Sequence, residues 1–210
     1  MRDIPVFDTE NGVGSLSLRE IPYRGEAYIT VGAVSDGVAF LKEAADFCVA
    51  VGAEDVYATG HAAAEQFPYY SSVLLLSADR DSLEQTEASL FPVTEETAEK
   101  WRSLYNEKFR KVPHAATITK SDMDKLFRTC YFVHKEGGLV GIGKAEGDRI
   151  GAIAAFVPGA GRDVVLALAH ALAEGQVTIE VATANPKARA LYERLGFIPV
   201  QERIRWYKIK

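Results

Sequence analysis

Two stretches of this chain share one layout at a distance. "ITVGAVSDGVAFL" begins at Ile29 and "FVPGAGRDVVLAL" at Phe156, 127 positions apart. Each reads as an apolar strand, a Gly-Ala turn, an aspartate (Asp36 and Asp163) and an apolar helix. Farther on, "VYATGHAA" from Val56 matches "VATANPKA" from Val181 at an offset of 125. Both copies are strand–helix–strand–helix units of similar length. The pattern implies an α/β fold and a degenerate internal duplication.

The rest of the chain alternates in the same way. "SLSLREIP" and "EAYITVGA" have strand character, Asp36 to Val51 has helical periodicity and stops at Gly52, and "DVYATG" is a short strand. A helical turn near Ala62 to Phe67 precedes "YYSSVLLLSA", a buried strand. From Thr94, one helical face carries Ala98, Trp101, Leu104, Tyr105 and Phe109, and Pro113 ends it. Ser121 with Asp124 marks a second, shorter helix start. "TCYFVHK" and "LVGIGKA" form a hairpin across "EGG", and "RIGAIAAFV" follows "EGD" as the next strand. "PGAG" then opens a helix to about Glu174, "VTIEVAT" is a strand, and "IPVQERIRWYKIK" is strand-like. The polar stretch Asp81 to Glu87 places a boundary between residues 1–80 and 81–210.

Composition limits the partners. A net charge of −5 on 210 residues gives no electrostatic reason to expect nucleic acid or an anionic membrane. "EKFRK" is the densest basic cluster and reads as a solvated helix face. No signal peptide and no bilayer-length apolar stretch is evident. Cys48 and Cys130 sit among apolar neighbours without a Cys-x-x-Cys partner, and read as reduced core thiols. The four histidines have no ligand spacing, so no metal is expected. These features together point to the cytoplasm.

"NPKARALYERLGF", residues 185–197, has two readings. Locally it is a helix: Asn185 is a favoured N-cap, Pro186 suits the first turn, and Ala188, Leu191, Tyr192 and Leu195 make one apolar stripe. Arg194 complements the dipole, and Gly196 can take the left-handed stop. In context the same letters do more. "VATANPKARALYERLGF" resembles the N-x-x-A-x-x-L-Y-x-x-x-G-F segment of the GNAT superfamily of acyl-CoA-dependent N-acyltransferases, at Asn185, Ala188, Leu191, Tyr192, Gly196 and Phe197. The similarity covers roughly residues 90–210, a whole minimal domain of that kind.

The resemblance implies a mixed, twisted sheet flanked by helices, preceded by a degenerate, non-catalytic half-domain. The strands "RIGAIAAFV" and "VTIEVAT" should splay at their C-terminal ends, so that a pantetheine arm can bind as an added strand. It implies acetyl-CoA as co-substrate, with Val157, Gly159, Gly161, Arg162, Asp163, Asn185 and Ala188 at its site and Tyr192 as general acid toward the departing thiolate. The acceptor would be a small amine or a peptide amine, and the protein a monomer or homodimer. Tyr105, Phe109 and His114 occupy the positions that line the family's acceptor groove, and read equally as core and loop residues.

The chain also departs from that pattern. The loop "VPGAGRDVV" is short, has no basic residue before its first glycine, and puts Asp163 where the family has a small residue. A carboxylate there opposes phosphate unless Arg162 neutralises it or it faces away. "GAIAAF" offers no base; Glu146, Asp148, His134 or an ordered water are the candidates. In the first copy Gly60 and Phe67 replace Asn185 and Tyr192, and His61 reads as a turn residue. The competing reading is a non-catalytic GNAT-like binding or regulatory protein with weak CoA affinity.

Overall fold

The computed structural model describes residues 1–172 and 175–210. They divide into two compact units: Met1–Val73 with Glu202–Lys210, and Leu74–Gln201. The division thus falls earlier than the polar stretch 81–87, and the end of the chain belongs with its beginning.

The first unit has strands β1 (Ile4–Thr9), β2 (Gly12–Ser17), β3 (Glu26–Val34), β4 (Asp55–Thr59) and most of β11 (Ile198–Lys208), in the order β1-β2-β3-β4-β11. A hairpin joins β1 to β2, β2 runs antiparallel to β3, and β3 runs parallel to β4. Helix α2 (Gly37–Ala50) makes that parallel crossover, with Asp36 capping it by accepting from the backbone N–H of Val38 and Ala39 at 3.2 and 3.0 Å. It buries Phe40, Leu41, Ala44, Ala45 and Cys48, the i, i+4 face, on Ile29, Val31 and Val56. "SLSLREIP" is strand only to Ser17; its second half is a turn and a short helix α1 (Ile21–Arg24), because Pro22 favours a first helical turn and Gly25 (φ 70°) closes it.

The second unit orders its strands β5 (Tyr69–Asp79, from Leu74 on), β10 (Gln176–Ala182), β9 (Arg149–Ala155), β8 (Gly138–Glu146), β7 (Cys130–Lys135) and β6 (Ser89–Pro92). Helices α3 (Glu95–Phe109) and α4 (Lys120–Leu126) cover one face, where Trp101, Tyr105 and Met123 pack on Phe132, Ile142 and Ala154. The cap of α4 is two residues earlier than expected: Thr119 and Asp122 make a reciprocal capping box. On the other face lie α5 (Gly161–His170) and α6 (Pro186–Arg194), with Val164, Val165, Leu168 and Tyr192 against Val133, Ile150, Ile179 and Val181. Residue Glu174, where the sequence places the end of α5, lies outside the described residues.

The duplicated order is present. β2-β3-α2-β4 and β8-β9-α5-β10 each comprise an antiparallel pair and then a parallel crossover. The second helix of the first copy is reduced to a 3-10 turn, Ala62–Gln66, capped by His61. The aspartates matched by sequence are not equivalent, since Asp36 is an N-cap while Asp163 lies inside the first turn of α5. Among the described residues no helix is long and apolar enough to cross a membrane.

Helix α5 lies unusually close to its sheet. A Cβ on Gly141 would come within 2.4 Å of Val164 Cγ2, and one on Gly143 within 2.2 Å of Leu168 Cδ1. Gly143→Ala should therefore over-pack this seam and destabilise the fold by about 1–3 kcal/mol. Urea unfolding checks this: the midpoint should fall with the slope unchanged.

Candidate active site

The two crossovers differ at one place. In the first copy β3 and β4 pair along the whole of β4, from Glu26↔Asp55 to Thr30↔Thr59. Gly60 (φ 95°) then stays against β3, where a Cβ would lie 2.8 Å from the carbonyl oxygen of Val31. In the second copy the β9–β10 register comprises only Arg149↔Thr178 and Ile150↔Ile179. Beyond those pairs β9 keeps its partner on the other side, where Ala155 faces Gly141 and the Phe156 N–H donates to the Val140 carbonyl at 2.8 Å. The β9–β10 pairing therefore ends well short of Phe156 and Val181.

After β9, the turn from Val157 carries Gly159 at φ 87° and closes with the Ala160 N–H donating to the Val157 carbonyl at 3.1 Å. Ala160 caps α5 without a side-chain hydrogen bond, so the first N–H groups of the helix carry no side-chain cap. Gly161 permits close approach: its Cβ would sit 3.0 Å from Leu191 Cδ2 of α6. At the start of α6, Asn185 Oδ1 accepts from the Ala188 N–H at 3.3 Å. Val157, Gly159, Gly161, Asn185 and Ala188 thus lie in the loops and first helical turns that follow β9 and β10.

Arg162 and Asp163 are drawn elsewhere. Asp163 is buried and accepts from Thr86 Oγ1 at 2.8 Å and Lys135 Nζ at 3.0 Å. Arg162 pairs with Glu84 and reaches Asp163 at 3.5 Å. The segment around Glu84 is also held at the far end of α5, where His170 Nε2 lies 3.0 Å from the Glu84 carbonyl oxygen and Arg80 donates to the Leu172 carbonyl. Burial pushes the Asp163 carboxyl up, but the hydrogen bonds from Lys135 and Thr86 and the charges of Lys135 and Arg162 outweigh it, holding the group below its usual value.

Tyr192 is 7% exposed and packs with Phe197 at a ring-centroid distance of 6.3 Å. Burial alone pushes its phenol up to about 12. Of the base candidates, His134 lies tilted against Phe91 with ring centroids 4.7 Å apart, Glu146 pairs with Lys144 at 3.2 Å, and Asp148 receives the Thr178 N–H on its backbone carbonyl. None is placed by these contacts at the end of the β9–β10 ladder. Tyr105 stacks between Trp101 and Phe109, and its hydroxyl donates to the Ala116 carbonyl, which makes it a core residue. His114 sits in the turn after α3 with φ 59°. A carboxylate the sequence reading passed over does stand there. Val177, Ile179 and Val181 bury toward α5 and α6, so Glu180 alternates onto the α3–α4 face, one residue past the last β9–β10 pair. It accepts from Arg149 Nη2 at 2.6 Å. Strand alternation within "VTIEVAT" was the signal that could have found it. Among the described residues no three His, Cys, Asp or Glu side chains gather as a metal site.

Residues 158–206 match the family model of FR47-like protein. The fold is similar to a GCN5-related N-acetyltransferase from Kribbella flavida (TM-score 0.60, 10% identity, 99% of this chain and 60% of that one). It is also similar to a functionally unknown conserved protein from Staphylococcus epidermidis (TM-score 0.57, 10% identity, 96% and 91% covered). A third similar structure is a tandem GNAT protein from the clavulanic acid biosynthesis pathway (TM-score 0.51, 16% identity, 94% and 78% covered). The chain spans about three fifths of the Kribbella protein. No curated protein matches the sequence. The α/β fold class read from the sequence is borne out, and the GNAT resemblance holds at the level of the fold.

The Asp163 cluster makes a testable claim. A carboxylate whose folded pKa lies below its unfolded value of about 3.9 contributes stability above that value and loses it as pH falls through the folded pKa. The stability difference between wild type and Asp163→Asn should be constant near neutrality and shrink below about pH 4. Urea midpoints of both proteins across that range check it.

Proposed function

We propose that this chain, which has the fold of the GCN5-related N-acetyltransferases, moves an acetyl group from acetyl-CoA to a primary amine. The observation that carries the reading is the β9–β10 ladder, which stops after two pairs in the second copy while the first copy stays closed. Acetyl-CoA supplies an acyl group already activated as a thioester. The open edges of β9 and β10 suit its amide-bearing arm, and the Gly159–Gly161 turn with the N-terminus of α5 suits its pyrophosphate. Asn185 spends its side-chain oxygen on the cap of α6, so its amide N–H groups are what it offers the arm.

The chain's own residues divide the proton work. Glu180 lies on the α3–α4 face of β10, and Tyr192 packs with the core on the α5–α6 face. Amine and thioester can then meet in the gap from opposite sides. Glu180 takes the proton that the amine loses on attacking the carbonyl carbon, and Tyr192 gives one to the sulfur as the C–S bond breaks. Burial keeps the Tyr192 phenol protonated across the physiological range. Arg162 and Asp163 support α5 rather than hold phosphate, because Glu84, Thr86 and Lys135 occupy them. The first copy has no role here beyond packing, since its ladder is closed. The buried, unpaired Cys48 and Cys130 suit a reducing cytoplasm.

The alternative is a GNAT-like binding protein without turnover, and the commitment of Arg162 to Glu84 is the observation in its favour. Calorimetry with acetyl-CoA, followed by thiol release with a panel of amines, separates the two. The expected outcome is binding with turnover. Tyr192→Phe should then reduce kcat by about 10²–10⁴-fold with acetyl-CoA affinity nearly unchanged. Binding without any thiol release would favour the alternative, and no binding at all would end both.

A further inference from the structure

The sheet face that carries Glu180 also holds a cavity of about 240 Å³, lined by Lys144, Glu146, Arg149 and Gly151. Its side of the sheet follows from register. Lys144 lies directly opposite Ala152, whose side chain packs in the α3–α4 core. Between the pairs Lys144↔Ala152 and Ala145↔Ile150, β9 carries one extra residue, Gly151, so the cavity sits on a β-bulge. With no side chain at Gly151 the space stays open; a Cβ there would come within 3.4 Å of Lys144 Cδ. Arg149, in the wall, is the residue whose guanidinium holds Glu180 at 2.6 Å.

The charges in this place alternate. Lys144 pairs with Glu146 at 3.2 Å, and Arg149 with Glu180 at 2.6 Å. A ligand of one sign, a polyamine or a phosphate, would meet charges of both signs: Lys144, Arg149 and Glu146 in the wall, and Glu180 held behind Arg149. A ligand with an ammonium beside a carboxylate satisfies both kinds at once. The volume agrees, being smaller than the roughly 300–1,000 Å³ that drug-sized ligands occupy. A peptide N-terminus offers the ammonium but no neighbouring carboxylate.

We propose that the acceptor is a free amino acid, its amine against Glu180 and its carboxylate read by Arg149 and Lys144. This rests on the acetyl-transfer reading above and narrows its acceptor. Lys144 and Arg149 thereby become specificity-determining residues, and Gly151 the residue that keeps room for the ligand.

The test measures thiol release from acetyl-CoA with alanine, glutamate, lysine and phenylalanine, each beside its α-carboxamide, and with spermidine. At least one free acid should exceed its carboxamide in kcat/KM by on the order of tenfold or more, as a charged hydrogen bond to the carboxylate requires. In Lys144→Gln that ratio should contract, through a higher KM for the acid and not for the amide, at an unchanged melting temperature. Gly151→Val should raise the KM for the acid while calorimetric acetyl-CoA affinity is retained. Carboxamides or spermidine turning over as well as the acids would overturn the inference and leave acetyl transfer intact. Acetyl-CoA binding with no free acid accepted would also overturn it. Absence of acetyl-CoA binding would instead remove the reading beneath it.

Discussion

The second unit depends on a ladder that stops early. β9 and β10 share two residue pairs, while β9 remains bonded to β8 through Ala155 and Phe156. Backbone groups cannot be left unpaired in a dry interior, so a parted pair of strands must either fill with something or face water. The first copy shows the other solution in the same chain. There β4 follows β3 to its end, and Gly60 allows the backbones to stay in contact. Among the described residues, the two parallel crossovers therefore differ in the length of their ladders.

What holds α5 in place above the sheet is close packing rather than polar bonding. Gly141 and Gly143 let Val164 and Leu168 seat directly on β8, and Gly161 lets the start of α5 meet Leu191 of α6. Three small residues thus set the height of α5 above the sheet and its distance from α6. The strap that includes Glu84 and Thr86 fixes the helix along its length, through Arg162 and Asp163 at one end and His170 at the other. The Arg162–Glu84 pair is exposed and contributes little stability by itself, unlike the buried Asp163 cluster. Their effect here is on direction: they turn the first-turn carboxylate of α5 away from the glycine turn.

The elements with local causes were legible in the sequence. The helix starts at Asp36 and Thr94, the cap at Asn185, the stripe of α6 and the glycine stops follow from chemistry within a few residues. The matched aspartates misled, because a cap and a first-turn aspartate occupy the same place in a letter pattern but differ by a few residues in the helix. The α4 box was displaced because Thr119/Asp122 and Ser121/Asp124 carry similar letters, and the loop before them decides which pair caps. Glu180 was passed over because an alternating carboxylate ordinarily marks a solvated face. The early end of the β9–β10 ladder has no letter of its own, since it depends on which strand each backbone edge reaches. The same is true of Arg162: its partner lies 78 positions away in sequence.

The position of Tyr192 also bears on how the proposed acid could act. Its phenol is pushed up to about 12, whereas an ordinary thiol ionises near 8.5, so in isolation the proton would have to move well uphill. The comparison changes when the thiolate forms in the same place. Burial penalises a charged sulfur as it penalises a charged phenolate, and two groups desolvated together keep roughly their aqueous difference. That difference is about 1.5 units, or about 2 kcal/mol, which a developing bond from the hydroxyl to the sulfur can offset. An exposed tyrosine would have the same nominal acidity gap but would compete with water for the sulfur. In the proposed reaction, burial of Tyr192 would withhold that competitor. The same burial that makes the residue look like mere core packing is what would make it effective at the gap.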